Sequence, residues 1–262
     1  MLSLVSTVYH PPALVKSAAL FCDGCSDMVR HMSAPRTARQ RARAELTTAI
    51  LASARRQLAE VGPTALSLRA ISRELEMSSS AIYRYFPSRD ALLTALIIEA
   101  YDAIGDAVTS AESAVARDDL AGRWVAATRA ARAWSLDHPH QYALIYGSPV
   151  PGYVAPPDTI DPAGRVGLLL ADILRDAHDT GRLLSVPVAD VAHARPMLHG
   201  PLAVVFADIE EPRVVGAISA WTTLFGTISF ELFGHYEKIV VDRDAYFDEV
   251  MRRAGMLLGL DL

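Results

Sequence analysis

Residues 67–86, SLRAISRELEMSSSAIYRYF, leave this chain few choices. Ile71, Leu75 and Met77 are spaced for the inner face of one short helix. Ile82 and Phe86, four apart, do the same for a second. Between them, Glu76 to Ser80 form a turn whose serines can cap the helix that follows. Two short helices at a steep angle, joined so tightly, make a helix-turn-helix. The second helix then carries Ser79, Ser80, Tyr83 and Arg84 on its outer side. Hydroxyls, an aromatic ring and a guanidinium suit base edges and phosphates in a major groove.

Charge supports that reading through its distribution. The net charge of −5 would by itself argue against nucleic acid. Yet eleven arginines and only five acidic residues lie between Arg30 and Asp90. From residue 91 onward, thirteen basic residues face twenty-three acidic ones. A basic head on an acidic body is the pattern of a DNA-binding module joined to a regulatory domain.

The stretch AISRELEMSSSAIYRYFPSRDALL resembles the DNA-binding signature of the tetracycline-repressor (TetR) family of bacterial transcription regulators. AELTTAILASARRQLAEVG and SRDALLTALIIEAYDAIGD stand where that family has its first helix and its long connecting helix, so the likeness covers about residues 42–106. A weaker likeness to the regulatory domain of one TetR subgroup rests on AWSLDHPHQYALIYGSPVPGY, WTTLFGTISFELFGH and YFDEVMRRAG. The resemblance implies a phosphate-contacting tyrosine at Tyr83, a polar phosphate contact at Tyr85, and a basic residue gripping the backbone at Arg89, where most members have Lys. The candidate DNA contacts are therefore Ser67, Arg69, Ser78, Ser79, Ser80, Ala81, Tyr83, Arg84, Tyr85 and Arg89, with Ile82 and Phe86 as core.

Aliphatic residues and Ala dominate and turn clusters are few before residue 147, which points to an all-α fold. We expect an N-terminal three-helix helix-turn-helix domain over residues 42–104 and a larger helical effector-binding and dimerisation domain over 105–262. Leu46, Ile50, Ala54 and Leu58 stripe a first helix, Arg43–Val61, which Gly62 and Pro63 end. Ser67 caps the second helix. The third runs Ser79–Phe86. Ser88 caps a long fourth helix to about Ala111, with Leu92, Leu93, Leu96, Ile97, Ala100, Tyr101 and Ile104 on its inner face. Further helices are expected at Leu120–Asp137, Val166–Thr180, Ala189–Asp208 (broken by Pro196, Gly200 and Pro201), Arg213–His235 and Asp244–Leu258.

Residues 1–41 read as a disordered leader, with Met32 opening a stretch that reads like a natural start. Arg36, Arg39, Arg41 and Arg43 form either a flexible basic arm touching DNA or a solvated charge run. Cys22 and Cys25 form a CxxC pair that can bind zinc or do redox work, but with only His10 and His31 near it the segment reads as leader instead, and two cysteines suit a reducing cytoplasm. No HxxxH or HExxH spacing, P-loop, GxSxG or GxGxxG occurs, so neither a metal nor another cofactor nor a catalytic site is expected. No run of about 18 apolar residues suggests a membrane span.

One recognition helix reads only a few base pairs, so a specific site needs two, about 34 Å apart on one DNA face. That implies a homodimer. Val214, Ile218, Trp221, Phe225, Ile228, Leu232, Phe247, Val250 and Met251 on the closing helices are candidates for a four-helix seam. Trp124, Trp134, Tyr142, Tyr146, Tyr153 and His178 are candidates for an aromatic pocket holding a small-molecule effector. The expected function is a ligand-responsive repressor on a palindromic double-stranded DNA operator. An activator or low-specificity DNA binder of the same fold is the alternative, and an α-helical enzyme a remote one.

Overall fold

A computed structural model describes residues 37–185, 206, 207, 209 and 211–262. All regular structure among these is helical: α1 (Ala38–Val61), α2 (Leu68–Glu74), α3 (Ser79–Ile82), α4 (Arg89–Ser113), α5 (Leu120–Asp137), α6 (Pro139–Tyr146), α7 (Ile160–Asp179), α8 (Glu211–Leu232) and α9 (Arg243–Leu258), with short 3-10 turns at Pro63–Ala65 and Pro157–Thr159. The expected helix at Ala189–Asp208, the cysteine pair, Arg36 and most of the leader lie outside the described residues.

Caps decide where the helices begin. The Oγ atoms of Ser67, Ser78 and Ser88 accept from the backbone N–H groups of Ala70, Ala81 and Ala91, at 3.3, 3.2 and 3.0 Å. α1 starts five residues before the expected Arg43. Thr37 Oγ1 accepts from the Gln40 N–H, and Gln40 Oε1 accepts from the Thr37 N–H, a reciprocal capping box. Arg39, Arg41 and Arg43 therefore sit on a helix rather than a loose arm. Past the end of α2, Glu76 takes φ 53°, a left-handed conformation unusual for a side chain with a Cβ, and the Met77 N–H closes onto the Ser72 carbonyl. α7 begins six residues before the expected Val166, with Pro162 in its first turn, where a missing N–H costs nothing.

Two apolar cores result, and α4 belongs to both. Leu92, Leu93, Leu96 and Ile97 join Ile50, Ala54, Leu58, Ile71, Ile82 and Phe86 in the head. One turn further on, Ala100, Ile104 and Val108 pack with α5, α7, α8 and α9 in the body. The head core is not closed by residues 42–104. Leu144 of α6 and Val150 of the following loop are buried in it, and Tyr153 packs against it. Tyr153 and Thr94 share a 2.9 Å hydrogen bond, and the Tyr101 hydroxyl donates to the Ile145 carbonyl at 3.2 Å. The expected boundary at residue 104 thus cuts through a shared helix and omits a piece of the head.

Arginines pin the body helices to one another. Arg123, with 1% of its side chain exposed, bonds Glu112 of α4 at 2.5 Å and Asp176 of α7 at 2.6 Å. Arg132 forms a bidentate pair with Glu231 of α8, both bonds 2.7 Å, and its guanidinium lies over the Phe247 ring of α9. Arg165 of α7 reaches Asp102 and Asp106 of α4 at 3.0 and 2.5 Å.

Candidate nucleic-acid interface and body cavity

α3 is shorter than expected. Its regular part ends at Ile82, and Tyr83–Tyr85 continue as turns in which the Arg84 and Tyr85 N–H groups bond the Ala81 and Ile82 carbonyls, three residues back. The tighter winding buries Ile82 and Phe86 and leaves Tyr83 and Arg84 exposed. Ser78, Ser79, Ser80 and Arg69 are also exposed, while Ser67, Ala81, Tyr85 and Arg89 are half-buried. The outer surface around the turn thus carries hydroxyls, one ring and guanidinium groups, with the Glu76 carboxylate also exposed, backed by the apolar head core. Ser78 is committed to capping, so its hydroxyl does structural duty first.

Two candidates behave differently from expectation. The Arg89 guanidinium turns inward and donates to the carbonyls of Pro63 and Thr64 at 2.7 and 3.3 Å, because the 3-10 turn leaves those acceptors without helical partners. It ties α4 to the α1–α2 turn. Tyr85 packs against the head core, and the Arg43 guanidinium lies 5.6 Å from its ring centre. That stack was not legible in sequence, because the two residues are forty-two positions apart.

The closing helices also sort their residues differently. Val214, Phe225, Ile228, Phe247 and Met251 are buried within a single copy and do not form an outer seam. α8 is apolar around most of its circumference, and Val214, Phe225 and Ile228 take its inner side, while Phe247 and Met251 are buried from α9. Trp221, Leu232 and Val250 are half-buried. The exposed large apolar residues of this region include Ile218, Phe230, Phe233, Tyr246, Met256 and Leu257, with Ile239 and Val241 exposed on the connection between α8 and α9. A Cβ on Gly226 would meet nothing within 4 Å, so that glycine faces open space.

A cavity of about 500 Å³ opens between α7 and α8. Gly164, Gly167 and Leu170 of α7 form one side; Ala217, Ile218 and Trp221 of α8 form the other; Trp124, Phe206 and Leu258 contribute to its wall. Of the expected pocket residues, Trp124 lines it. Trp134 instead stacks on His138, ring centres 4.9 Å apart, and Tyr142 donates to the Phe225 carbonyl at 2.9 Å. Tyr146 stacks on Phe225 at 4.0 Å, Tyr153 joins the head, and His178 sits in the last turn of α7, away from the lining. Burial pushes the Tyr142 hydroxyl up to about 12, and burial, then Tyr101 and Tyr142, push the Tyr146 hydroxyl higher still, so both rings stay neutral. Large rings fill space. The cavity lies instead where Gly and Ala leave it, and the Gly164/Gly167 pair at helical spacing was the sequence signal for it.

Among the described residues no group of His, Cys, Asp and Glu is placed to hold a metal ion, and no helix is long and apolar enough to cross a membrane. A family model described as "Bacterial regulatory proteins, tetR family" matches residues 50–96, and one described as "Tetracyclin repressor-like, C-terminal domain" matches residues 124–254. The chain belongs to the TetR family. Similar to this TetR-family chain is HTH-type transcriptional regulator Rv1816 of Mycobacterium tuberculosis, 38% identical over 219 residues, 82% of this chain and 92% of that one. A regulator of Mycobacterium bovis, Mb1846, matches to the same extent. The crystal structure of regulatory protein SCO4313 superposes with a TM-score of 0.64 at 31% identity, covering 84% of this chain and 98% of that one. The TetR-family regulator PfmR of Thermus thermophilus, TM-score 0.51 at 18% identity over 81% of this chain and 98% of its own, shares the fold. This TetR-family protein is a transcriptional regulator, and the family and these relatives are regulators rather than enzymes.

Proposed function

We propose that this regulator is a homodimeric repressor whose two heads hold the halves of a palindromic operator in the cytoplasm, and that a small molecule entering the body releases them. The observation that carries this reading is the double membership of α4. One continuous helix has its first turns buried in the head core and its later turns in the body core. A change in the body that tilts α4 must move the head with it. Arg165, on the helix that lines the cavity, is clamped to α4 through Asp102 and Asp106. A shift of α7 on cavity filling therefore has a direct route to the head.

In this reading Tyr83, Arg84, Ser79 and Ser80 face the groove, Arg69 and Arg39, Arg41 and Arg43 at the start of α1 face phosphates, and the dimer seam uses Ile218, Phe230, Phe233, Tyr246, Met256 and Leu257 around Gly226. Two heads must span half-sites about 34 Å apart. The effector weakens DNA binding only by preferring a form in which the heads no longer match that spacing. Footprinting on DNA flanking the protein's own gene tests the reading. Protection of a palindrome, with affinity falling steeply as salt rises, is expected. Protection of no palindrome at any salt overturns it.

A further inference from the structure

We propose that the α7–α8 cavity takes an uncharged, largely hydrocarbon ligand. The inference rests on the reading that the body receives an effector, and it names the chemistry of that effector.

Three features carry it. The first is the absence of charged or hydroxyl side chains among the described residues that line the cavity. Among the described residues, the nearby arginines are committed elsewhere. Arg165 turns to Asp102 and Asp106 on α4, and Arg213 holds the Leu258 and Leu184 carbonyls at 2.8 and 3.0 Å. The second feature is that the wall's indole polar edge is spent. Trp124 Nε1 donates to the Met251 carbonyl at 2.9 Å, so what faces inward is ring. The third is the glycine pair. A Cβ on Gly167 would lie 2.9 Å from the Trp221 ring, so this glycine is needed to seat that indole against α7. Gly164 has no such duty. A Cβ there would meet only the Leu168 side chain, at 3.7 Å, and otherwise open space. A glycine inside a helix costs about 1 kcal/mol relative to alanine. At Gly164 that cost keeps the cavity open.

A volume near 500 Å³ falls within the range of small-molecule sites, about 300–1,000 Å³. An apolar cavity favours an apolar guest. A carboxylate brought into it would lose its water and gain no counter-charge from these walls. The ligand class therefore follows from what the lining can and cannot solvate.

The test is calorimetric titration of the full chain with decan-1-ol and, separately, with decanoate at neutral pH, alongside the Gly164→Leu variant. Decanol is expected to bind at least about tenfold more tightly than decanoate. Gly164→Leu, which fills the space and improves helix propensity, should melt no lower than the parent and lose decanol binding. Decanoate binding as tightly as decanol, no binding of either, or unchanged decanol binding by Gly164→Leu would each overturn the proposal. So would decanol that dissociates a dimer without entering the cavity, seen by sedimentation as loss of dimer that Gly164→Leu does not prevent. Operator affinity is measured on the same samples. Decanol that fills the cavity and leaves operator binding unchanged upholds the ligand class and removes its role as effector. Release by decanoate but not decanol does the reverse.

Discussion

Replacing Arg123 with methionine keeps most of the side-chain volume and removes the charge that joins α4, α5 and α7. The guanidinium is 1% exposed and meets Glu112 at 2.5 Å, Asp176 at 2.6 Å and the Arg117 carbonyl at 3.1 Å. Burial works against its charge, and the bonds from Asp176 and then Glu112 outweigh that, holding its pKa above the usual arginine value. Breaking a buried pair by deleting one partner costs about 3–5 kcal/mol, because the other charge is left behind. Asp176 retains Arg117 at 2.7 Å, which places the loss for Arg123→Met near the lower figure, about 3 kcal/mol. At about 2–4 °C per kcal/mol for a chain of this size, the melting temperature should fall by about 6–12 °C. Glu112, 12% exposed at its side chain, is the stranded charge. Adding Glu112→Gln should therefore recover part of the loss, and circular-dichroism melts of the parent, both single variants and the double variant close the cycle. If Arg123→Met melts within about 1 °C of the parent, or if the two substitutions simply add, the ion cluster does not hold these helices together.

Tyr83→Ala should weaken operator binding at least about tenfold in a gel-shift titration while leaving the melt almost unchanged, because the ring is 43% exposed and packs on little. Gly226→Leu should leave the single copy folded, since its side chain enters open space, yet shift sedimentation from dimer to monomer. Glu249 is held down to about 2 by hydrogen bonds from Arg252 and then Arg253. A depressed carboxylate contributes stability above its unfolded value, and that stability is lost as pH falls from 4.5 towards 2. Glu249→Gln should flatten this part of the acid-unfolding curve. Glu76→Gly, which relieves a φ of 53°, should raise the melting temperature slightly.

The head was legible because its instructions are local. Ser67, Ser78 and Ser88 each announce a helix start within three residues of the N–H they cap, and Ile82 and Phe86 declare an inner face by spacing alone. Long-range information was harder. Arg89 reads as a DNA contact until the Pro63 and Thr64 carbonyls come within reach, and no local pattern foretells that meeting. α8 shows a second kind of ambiguity. Its apolar residues cover more than one side, so periodicity cannot say which side a single copy uses for itself. Val214, Phe225 and Ile228 went inward, whereas Ile218 and Phe230 stayed out. The cavity failed for a third reason. Aromatic residues draw the eye, but Trp134, Tyr142 and Tyr146 spend themselves on filling the interior.

The way Leu144 and Val150 plug the head bears on anyone who would graft it. Family members invite chimeras in which one protein's DNA reader is spliced to another's sensor at the long connecting helix. A splice made there would strand two plugs in the discarded half and leave the transplanted reader with an uncovered apolar ledge. The transferable cassette is discontinuous: α1 to mid-α4, carried together with the strap at residues 144–153.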